Sequence, residues 1–333
     1  MKFLVTGAAG FIGSHLTLLL AKSGNKVLAV DNINSYYSPE LKKLRVSDLL
    51  APEGISLRIE ELSNLDSVQK LVRKFQPDAI IHLAAQPGVR TPIGNSHEYI
   101  QNNLVAFSNI LQIAVEENIP EILYASSSSV YGNSSHLPYR EDDLSIRPVS
   151  IYGATKLANE ILASAYVSGS NSRARGMRFF TVYGPWGRPD MAYFRIIDSI
   201  LNGTEFKKFG GGERKRDFTY VDDICNAVQG LARELLTRPT GYTDIVNIGG
   251  GNPYSLNDLI SMISNELNSL PTLTEIESNP NDTLYTSADV TRLSDLTDTV
   301  PFVDLKTGIK MTVAWAKKPN IRPLLSSWIN STY

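Results

Sequence analysis

Lys2-Phe3-Leu4-Val5-Thr6-Gly7-Ala8-Ala9-Gly10-Phe11-Ile12-Gly13 decides the fold of this chain. Phe3–Thr6 reads as a short buried strand, and Phe11–Ser23 carries apolar residues at helical spacing. Gly7, Gly10 and Gly13 sit at the joint between them. In a strand–turn–helix setting such glycines give a tight turn, let backbone approach a diphosphate and aim the first helical amides at the anion. The spacing is Gly-x-x-Gly-x-x-Gly rather than Gly-x-Gly-x-x-Gly, but the work is the same. Gly7, Gly10, Phe11, Ile12 and Gly13 are therefore read as one wall of a dinucleotide site. Asp31 closes the second expected strand, eighteen residues beyond Gly13. A carboxylate there accepts hydrogen bonds from a ribose 2′-hydroxyl and repels a 2′-phosphate. The following Asn32-Ile33-Asn34 brings no arginine to welcome that phosphate, so NAD is expected rather than NADP.

The alternation continues outward from this unit. Strands are expected at Phe3–Thr6, Lys26–Val30, Ser56–Ile59, Ala79–Leu83, Ile122–Ser126 and Gly176–Phe180. Helical patterns lie between them at Phe11–Ser23, Pro39–Leu50, Ser67–Lys74, Ser96–Glu117 and Tyr152–Ser168. Strands alternating with helices imply an α/β fold with a doubly wound parallel Rossmann sheet. After Phe180 the rhythm breaks. Thr181–Arg195, Gly210–Arg214, Gly249–Tyr254 and Asn279–Tyr285 are rich in Gly, Pro and polar residues and read as loops. A smaller α/β C-terminal domain is expected to cap the carboxyl ends of the strands. The division anticipated is residues 1–180 and about 215–247 for the Rossmann domain, with about 181–214 and 248–333 for the substrate domain. The tail from Lys317 to Tyr333 gives no reading between a docked and a frayed end.

Bulk composition narrows the class. The 333 residues are 42% hydrophobic and 20% charged, with a formal net charge of −2. That balance offers no basic footprint for nucleic acid or an anionic membrane. Cys225 is the only cysteine, so no internal disulfide is possible. No apolar run approaches the roughly 20 residues that span a bilayer. A first strand beginning at Lys2 leaves no room for a signal peptide, and a cytoplasmic protein is expected. His15, His97 and His136 lack metal-ligand spacing, and no metal is expected.

The chemistry is carried by Tyr152-Gly153-Ala154-Thr155-Lys156. Four residues of helical spacing put phenol and ammonium on one face, a turn apart. A lysine there is expected to pull the tyrosine pKa down from about 10. Such a base can take a hydroxyl proton while hydride leaves the same carbon for a nicotinamide. Upstream, Tyr124-Ala125-Ser126-Ser127-Ser128-Ser129-Val130-Tyr131-Gly132 places four hydroxyls at the end of the fifth expected strand, where one can share the substrate proton.

With these motifs in place the chain resembles the extended short-chain dehydrogenases/reductases, and among them the nucleotide-sugar 4-epimerases, from Gly7 to Asp282. The resemblance implies a catalytic set of Ser127, Tyr152 and Lys156, with Ser126, Asn103 and Phe179 near the cofactor. His82-Leu83-Ala84-Ala85 resembles the fourth-strand motif that passes beside the cofactor, with His82 itself read as a core histidine. Glu61-Leu62 stands where the family usually has Asp followed by an aliphatic residue against adenine. Relatives similar to dTDP-glucose 4,6-dehydratase carry Asp-Glu, and UDP-glucuronate decarboxylases a Glu at the second place, where this chain has Ser128 and Ser129. Serine hydroxyls supply neither acid nor base at neutral pH, but they can hold a carboxylate.

The subfamily signal is sharpest in Arg178-Phe179-Phe180-Thr181-Val182-Tyr183-Gly184-Pro185-Trp186-Gly187-Arg188-Pro189-Asp190-Met191, which is similar to the UDP-glucuronate 4-epimerases; UDP-galactose 4-epimerases have Tyr-Phe-Asn at Phe179–Thr181. His82 to Arg90 matches the same subfamily, apart from Pro87 where Ala is usual. The resemblance further implies substrate contacts from Arg90, Thr181, Arg188 and Phe209, a diphosphate contact from Arg216 and a ribose contact from Asp282. Asn279 stands where galactose epimerases carry a diphosphate arginine. The expected activity is NAD-dependent 4-epimerisation of UDP-glucuronate to UDP-galacturonate. A UDP-glucose/UDP-galactose 4-epimerase and a UDP-glucuronate decarboxylase are the alternatives, and a silent NAD-binding protein would not need Tyr152 and Lys156. The resemblance also implies a homodimer paired through the helices at Ser96–Glu117 and Tyr152–Ser168. Ile100, Leu104, Phe107, Ile110, Leu111 and Ala114 make the first of these wider in apolar surface than one buried stripe requires.

Overall fold

The computed structural model describes residues 1–88, 96–134, 136–277, 285–298 and 302–331. The first half alternates β1 (Lys2–Thr6), α1 (Phe11–Lys22), β2 (Lys26–Asp31), α2 (Pro39–Arg45), β3 (Leu57–Ile59), α3 (Leu65–Phe75) and β4 (Ala79–His82). It continues with α4 (Ser96–Tyr99), α5 (Ala106–Glu116), β5 (Glu121–Ser127), α6 (Ile151–Val167) and β6 (Arg173–Phe179). The expected strand bounds hold within one residue, except that β6 begins at Arg173 rather than Gly176. The pattern at Ser96–Glu117 is not one regular helix: a π-helical turn at Ile100–Val105 joins α4 to α5.

Beyond β6 come β7 (Thr181–Tyr183), α7 (Ala192–Asn202), β8 (Glu205–Phe209), β9 (Lys215–Tyr220), α8 (Val221–Leu235), β10 (Thr243–Ile248), β11 (Pro253–Ser255), α9 (Leu256–Leu267), β12 (Thr272–Ile276), α10 (Thr291–Leu296), α11 (Leu305–Ala316) and α12 (Leu325–Asn330). Thr181–Arg195, expected as loop, therefore holds β7 and the start of α7. The stretch was obscured by Gly184, Pro185, Gly187 and Pro189, which punctuate it between two regular elements.

Seven strands form one sheet in the order β10-β6-β5-β4-β1-β2-β3, every pair parallel. The order reverses direction between β1 and β4, the switch point outside which doubly wound sheets bind ligands. Central strands are buried on both faces: Ala79, Ile80 and Ile81 of β4 are fully covered, each isoleucine contributing about 1.5–3 kcal/mol of transfer energy. One face packs on α1 and α8, the other on α3, α5 and α6. A second core gathers Tyr183, Trp186, Phe194, Trp315 and Trp328 from the smaller C-terminal domain, which carries the sheet β11-β9-β7 and the pair β12-β8. The C-terminal tail docks: α12 packs on α7 and buries Leu325 and Trp328. Among the described residues no helix is long and apolar enough to cross a membrane.

Candidate active site

The glycine turn works by close approach. A Cβ on Gly13 would lie 2.0 Å from the carbonyl oxygen of Gly7, so only glycine lets α1 start there. Gly10 caps α1 without any side-chain hydrogen bond, and the first turn contains no acidic residue. The helix start therefore faces the cavity with its amides and partial positive charge unspent, which fits a bound diphosphate. Asp31 ends β2 beside it. One of its oxygens accepts from Ala9 N at 3.1 Å and the other from Ile33 N at 2.8 Å, an arrangement that fixes the carboxylate at the cavity wall. Asn32 donates to Glu61 Oε2 at 3.0 Å, and Leu62 forms a buried patch next to them. These groups fit the adenosine half of NAD.

His82 is a positioning residue of the core. Thr6 Oγ1 lies 2.9 Å from its Nδ1 and also accepts from Ala84 N, tying β1 to the Leu83–Ala85 wall of the cavity. Burial, assisted by the Lys156 charge, lowers its pKa to about 3, so it stays neutral at working pH.

Ser150 sets the helix that carries Tyr152 and Lys156. Its hydroxyl accepts from Gly153 N at 3.0 Å and fixes the start of α6, so that Tyr152 lies in the first turn and Lys156 one turn on. A Cβ on Gly153 would meet Ser129 O at 2.6 Å, so glycine here lets α6 press against the serine run. Ser127 Oγ accepts from Ser129 N and donates to Ser129 Oγ, both at 3.1 Å, and its hydroxyl acts to lower the pKa of the Tyr152 phenol. Lys156 Nζ lies 5.8 Å from the centre of the Tyr152 ring and donates to Ala125 O at 2.8 Å.

The expected lowering of the tyrosine pKa is not what the geometry gives. Desolvation pushes the Tyr152 phenol above its usual value, opposed by the Ser127 hydrogen bond and the Arg188 charge. Burial also lowers Lys156 to about 7. The ammonium, itself desolvated and turned to a carbonyl, is too weakly charged and too far to dominate the phenol.

Behind this wall lies support. Asn103, expected near the cofactor, does not line the cavity: it is fully buried, accepts from Gln86 N and donates to Gln86 O and Thr155 Oγ1, pinning the loop after β4 to α6. Its neighbour Asn102 faces the cavity instead. Ser126 donates to Glu160 at 2.5 Å, and Glu160 takes a bidentate Arg178 fork at 2.9 and 2.8 Å. Phe179, at the end of β6, lines the cavity.

At the other end Ser128, Ser129, Thr181, Arg188, Phe209 and Arg216 share the cavity with Tyr152. Arg188 is forked onto Asp190 at 3.0 and 2.5 Å, so its charge is partly matched within the chain. Arg90 and Asp282 lie outside the described residues. The cavity holds about 1210 Å³, more than the roughly 300–1,000 Å³ of a site for one small ligand. That volume leaves room for a dinucleotide together with a second ligand.

The family profile described as "NAD dependent epimerase/dehydratase family" matches residues 3–249. The chain belongs to that family. It is 38% identical to protein CapI of Staphylococcus aureus over 95% of this chain and 98% of that protein. It is 37% identical to UDP-glucuronate 4-epimerase 4 of Arabidopsis thaliana over 94% of this chain and 74% of the plant protein. The solved UDP-glucuronic acid 4-epimerase of Bacillus cereus, in complex with UDP-glucuronic acid and NAD, superposes with a TM-score of 0.87 at 34% identity, covering 95% of this chain and 99% of that one.

Membership makes NAD the cofactor, and the Asp31 carboxylate makes a specific expectation. Protein purified without added nucleotide should release NAD on denaturation; nucleotide analysis recovering mostly NADP would reject the role given to Asp31.

Several cavity residues had no reading in the sequence. Lys42, Tyr36 and Tyr37 follow β2 and line the cavity, and Arg195 enters it from α7. Lys42 Nζ donates to Asn34 O at 2.7 Å and Asn34 Oδ1 at 2.6 Å, and burial lowers its pKa to about 8. The available signal was Lys42 and Arg45, two cations three residues apart on one short helix just beyond the cofactor turn. Asp217, next to Arg216, accepts from the amides of Gly250, Gly251 and Ala288, each at 2.9 Å, and so fixes the loop over this end of the site.

Proposed function

We propose that the protein is a UDP-glucuronate 4-epimerase. The observation that carries this reading is the lining shared with Tyr152, in which Ser128, Ser129, Thr181 and Arg188 border the same cavity. Among the described residues the carboxylates lining the cavity are Asp31, Glu60 and Glu61 near β2 and β3, and Asp190, which Arg188 holds. An elimination would need a free acid and base beside the sugar, and this lining offers neither. It offers donors for a carboxylate, each charged hydrogen bond worth about 1.5–3 kcal/mol.

In this reading Tyr152 takes the proton of the C4 hydroxyl, with Ser127 sharing it, and the same pair returns a proton to C4 oxygen at the end. Bound NAD supplies the hydride acceptor and donor at C4. Arg188 favours the phenolate, Lys156 stands one helical turn away, and Arg216 holds the diphosphate while the 4-keto sugar turns about its phosphate linkage. The guanidinium fork suits a diphosphate better than an ammonium. In this assignment about residues 181–214 and 248–333, together with β9, form the nucleotide-sugar half.

A 4-keto uronate is a β-keto acid and loses carbon dioxide fastest when the C5–carboxylate bond stands perpendicular to the carbonyl plane. Ser128, Ser129, Thr181 and Arg188 hold that bond away from alignment. The test is competition. With UDP-glucuronate and UDP-glucose at equal concentration, turnover of the uronate should dominate at least tenfold, since each unmatched charged donor costs over about 1.4 kcal/mol with the neutral sugar. Equal turnover, or preference for UDP-glucose, would favour the hexose alternative.

The homodimer belongs to the same proposal. Phe107, Ile110, Leu111 and Ala114 are spent inside the chain, but Ile100 and, on α6, Ile161 stand exposed at 41% and 65%. Light scattering should give twice the chain mass of 36.7 kDa; a monomer at micromolar concentration would remove the dimer from the account.

A further inference from the structure

Arg45 is fully buried at the end of α2, and among the described residues no carboxylate pairs with it. A buried guanidinium without a counter-ion is costly unless its N–H groups are placed. Four of the five are placed, three on main-chain carbonyls from two distant loops and one on a tyrosine hydroxyl. Nε donates to Trp186 O at 2.8 Å and Nη2 to Gly187 O at 3.0 Å. Nη1 donates to Ala9 O at 3.1 Å and to Tyr37 Oη at 2.6 Å. Ala9 belongs to the cofactor turn. Trp186 and Gly187 immediately precede Arg188, whose fork on Asp190 faces the substrate end.

The clamped loop would not hold this shape alone. Trp186 has φ +62°, a left-handed conformation that costs a bulky residue of order 1–3 kcal/mol and persists only where surroundings impose it. The planar fork of Arg45 satisfies two successive carbonyls at once, which a lysine ammonium cannot match in geometry. We infer that Arg45 is a positioning residue: it fixes the Trp186–Asp190 loop in register with the cofactor turn, and so sets where Arg188 meets the sugar.

The inference rests on the UDP-glucuronate reading, and its test separates the two. Arg45→Lys, Arg188→Ala and the double variant are assayed as holoenzymes for kcat/KM on UDP-glucuronate, with NAD content, UDP affinity and thermal midpoint measured beside it. Arg45→Lys is expected to slow the otherwise wild-type enzyme at least about tenfold, the effect of one lost hydrogen bond from a charged donor. In the Arg188→Ala background it should slow turnover less than about twofold, because a residue acting through Arg188 has nothing left to position. NAD content and UDP affinity should stay at wild-type levels. Additive losses would overturn the inference, since Arg45 would then act independently of Arg188. Loss of NAD from Arg45→Lys would also overturn it, placing the role at Ala9. If Arg45→Lys does not fold, Tyr37→Phe frees Nη1 from one partner and takes its place in the cycle, with the same two outcomes. A wild-type enzyme that ignores UDP-glucuronate but converts another UDP-sugar rejects the substrate reading alone, and the cycle is then run on that sugar.

Discussion

Tyr152→Phe is expected to keep NAD and bind UDP-glucuronate while losing turnover by about 10²–10⁴-fold, the usual contribution of a positioned general base. The substitution removes one oxygen. The glycine turn, Asp31 and Arg216 are untouched, and the ring still fills its place beside Tyr99. Because desolvation holds the free phenol above its ordinary value, wild-type kcat/KM should rise with pH, as the base must be deprotonated to act. The residual activity of the variant should lack that rise. Near-normal turnover in Tyr152→Phe, or an unchanged pH profile, would mean that another group abstracts the proton.

The second large effect concerns the fate of the 4-keto intermediate. Wild-type enzyme should release almost no UDP-pentose, because the carboxylate is restrained. Replacing Arg188 or Thr181 by Ala should both slow epimerisation and raise the share of decarboxylated product. One hydrogen bond to a charged group, worth about 1.5–3 kcal/mol, shifts the partition by roughly one to two powers of ten. Arg188→Ala also strips Asp190 of its fork and leaves a half-buried carboxylate near the sugar, so it should leak more than Thr181→Ala. Variants that slow without leaking carbon dioxide would place the restraint elsewhere.

What the sequence disclosed and what it withheld follow from the range of the interactions involved. The glycine turn, Asp31 and the Tyr152–Lys156 pair are local: each works through fixed spacing on one element, and each lies where that spacing put it. The central strands β1 and β4 were legible because burial on both faces leaves apolar runs such as Phe3–Val5 and Ala79–Ile81. β10 was missed because Thr243, Asp244 and Asn247 interrupt it, and their partners come from afar: Asp244 takes the Arg175 fork and Asn247 accepts from Tyr131 Oη. Arg45 was invisible for the same reason, since its acceptors at Trp186 and Gly187 are about 140 residues away in sequence. The electrostatics of Tyr152 were misjudged because spacing along a helix says nothing about desolvation, which outweighs the lysine here. Asn103, expected near the cofactor, is buried within the π-helical turn at Ile100–Val105, while Asn102 borders the cavity.

The central claim is that this cavity interconverts the C4 epimers of a UDP-hexuronate and keeps the carboxylate. Purified protein incubated with UDP-glucuronate and followed by proton NMR tests it most directly. UDP-galacturonate should grow to an equilibrium mixture with no added cofactor and almost no UDP-pentose. UDP-pentose as the main product, or an unchanged UDP-glucuronate spectrum from protein that converts UDP-glucose to UDP-galactose, would contradict it.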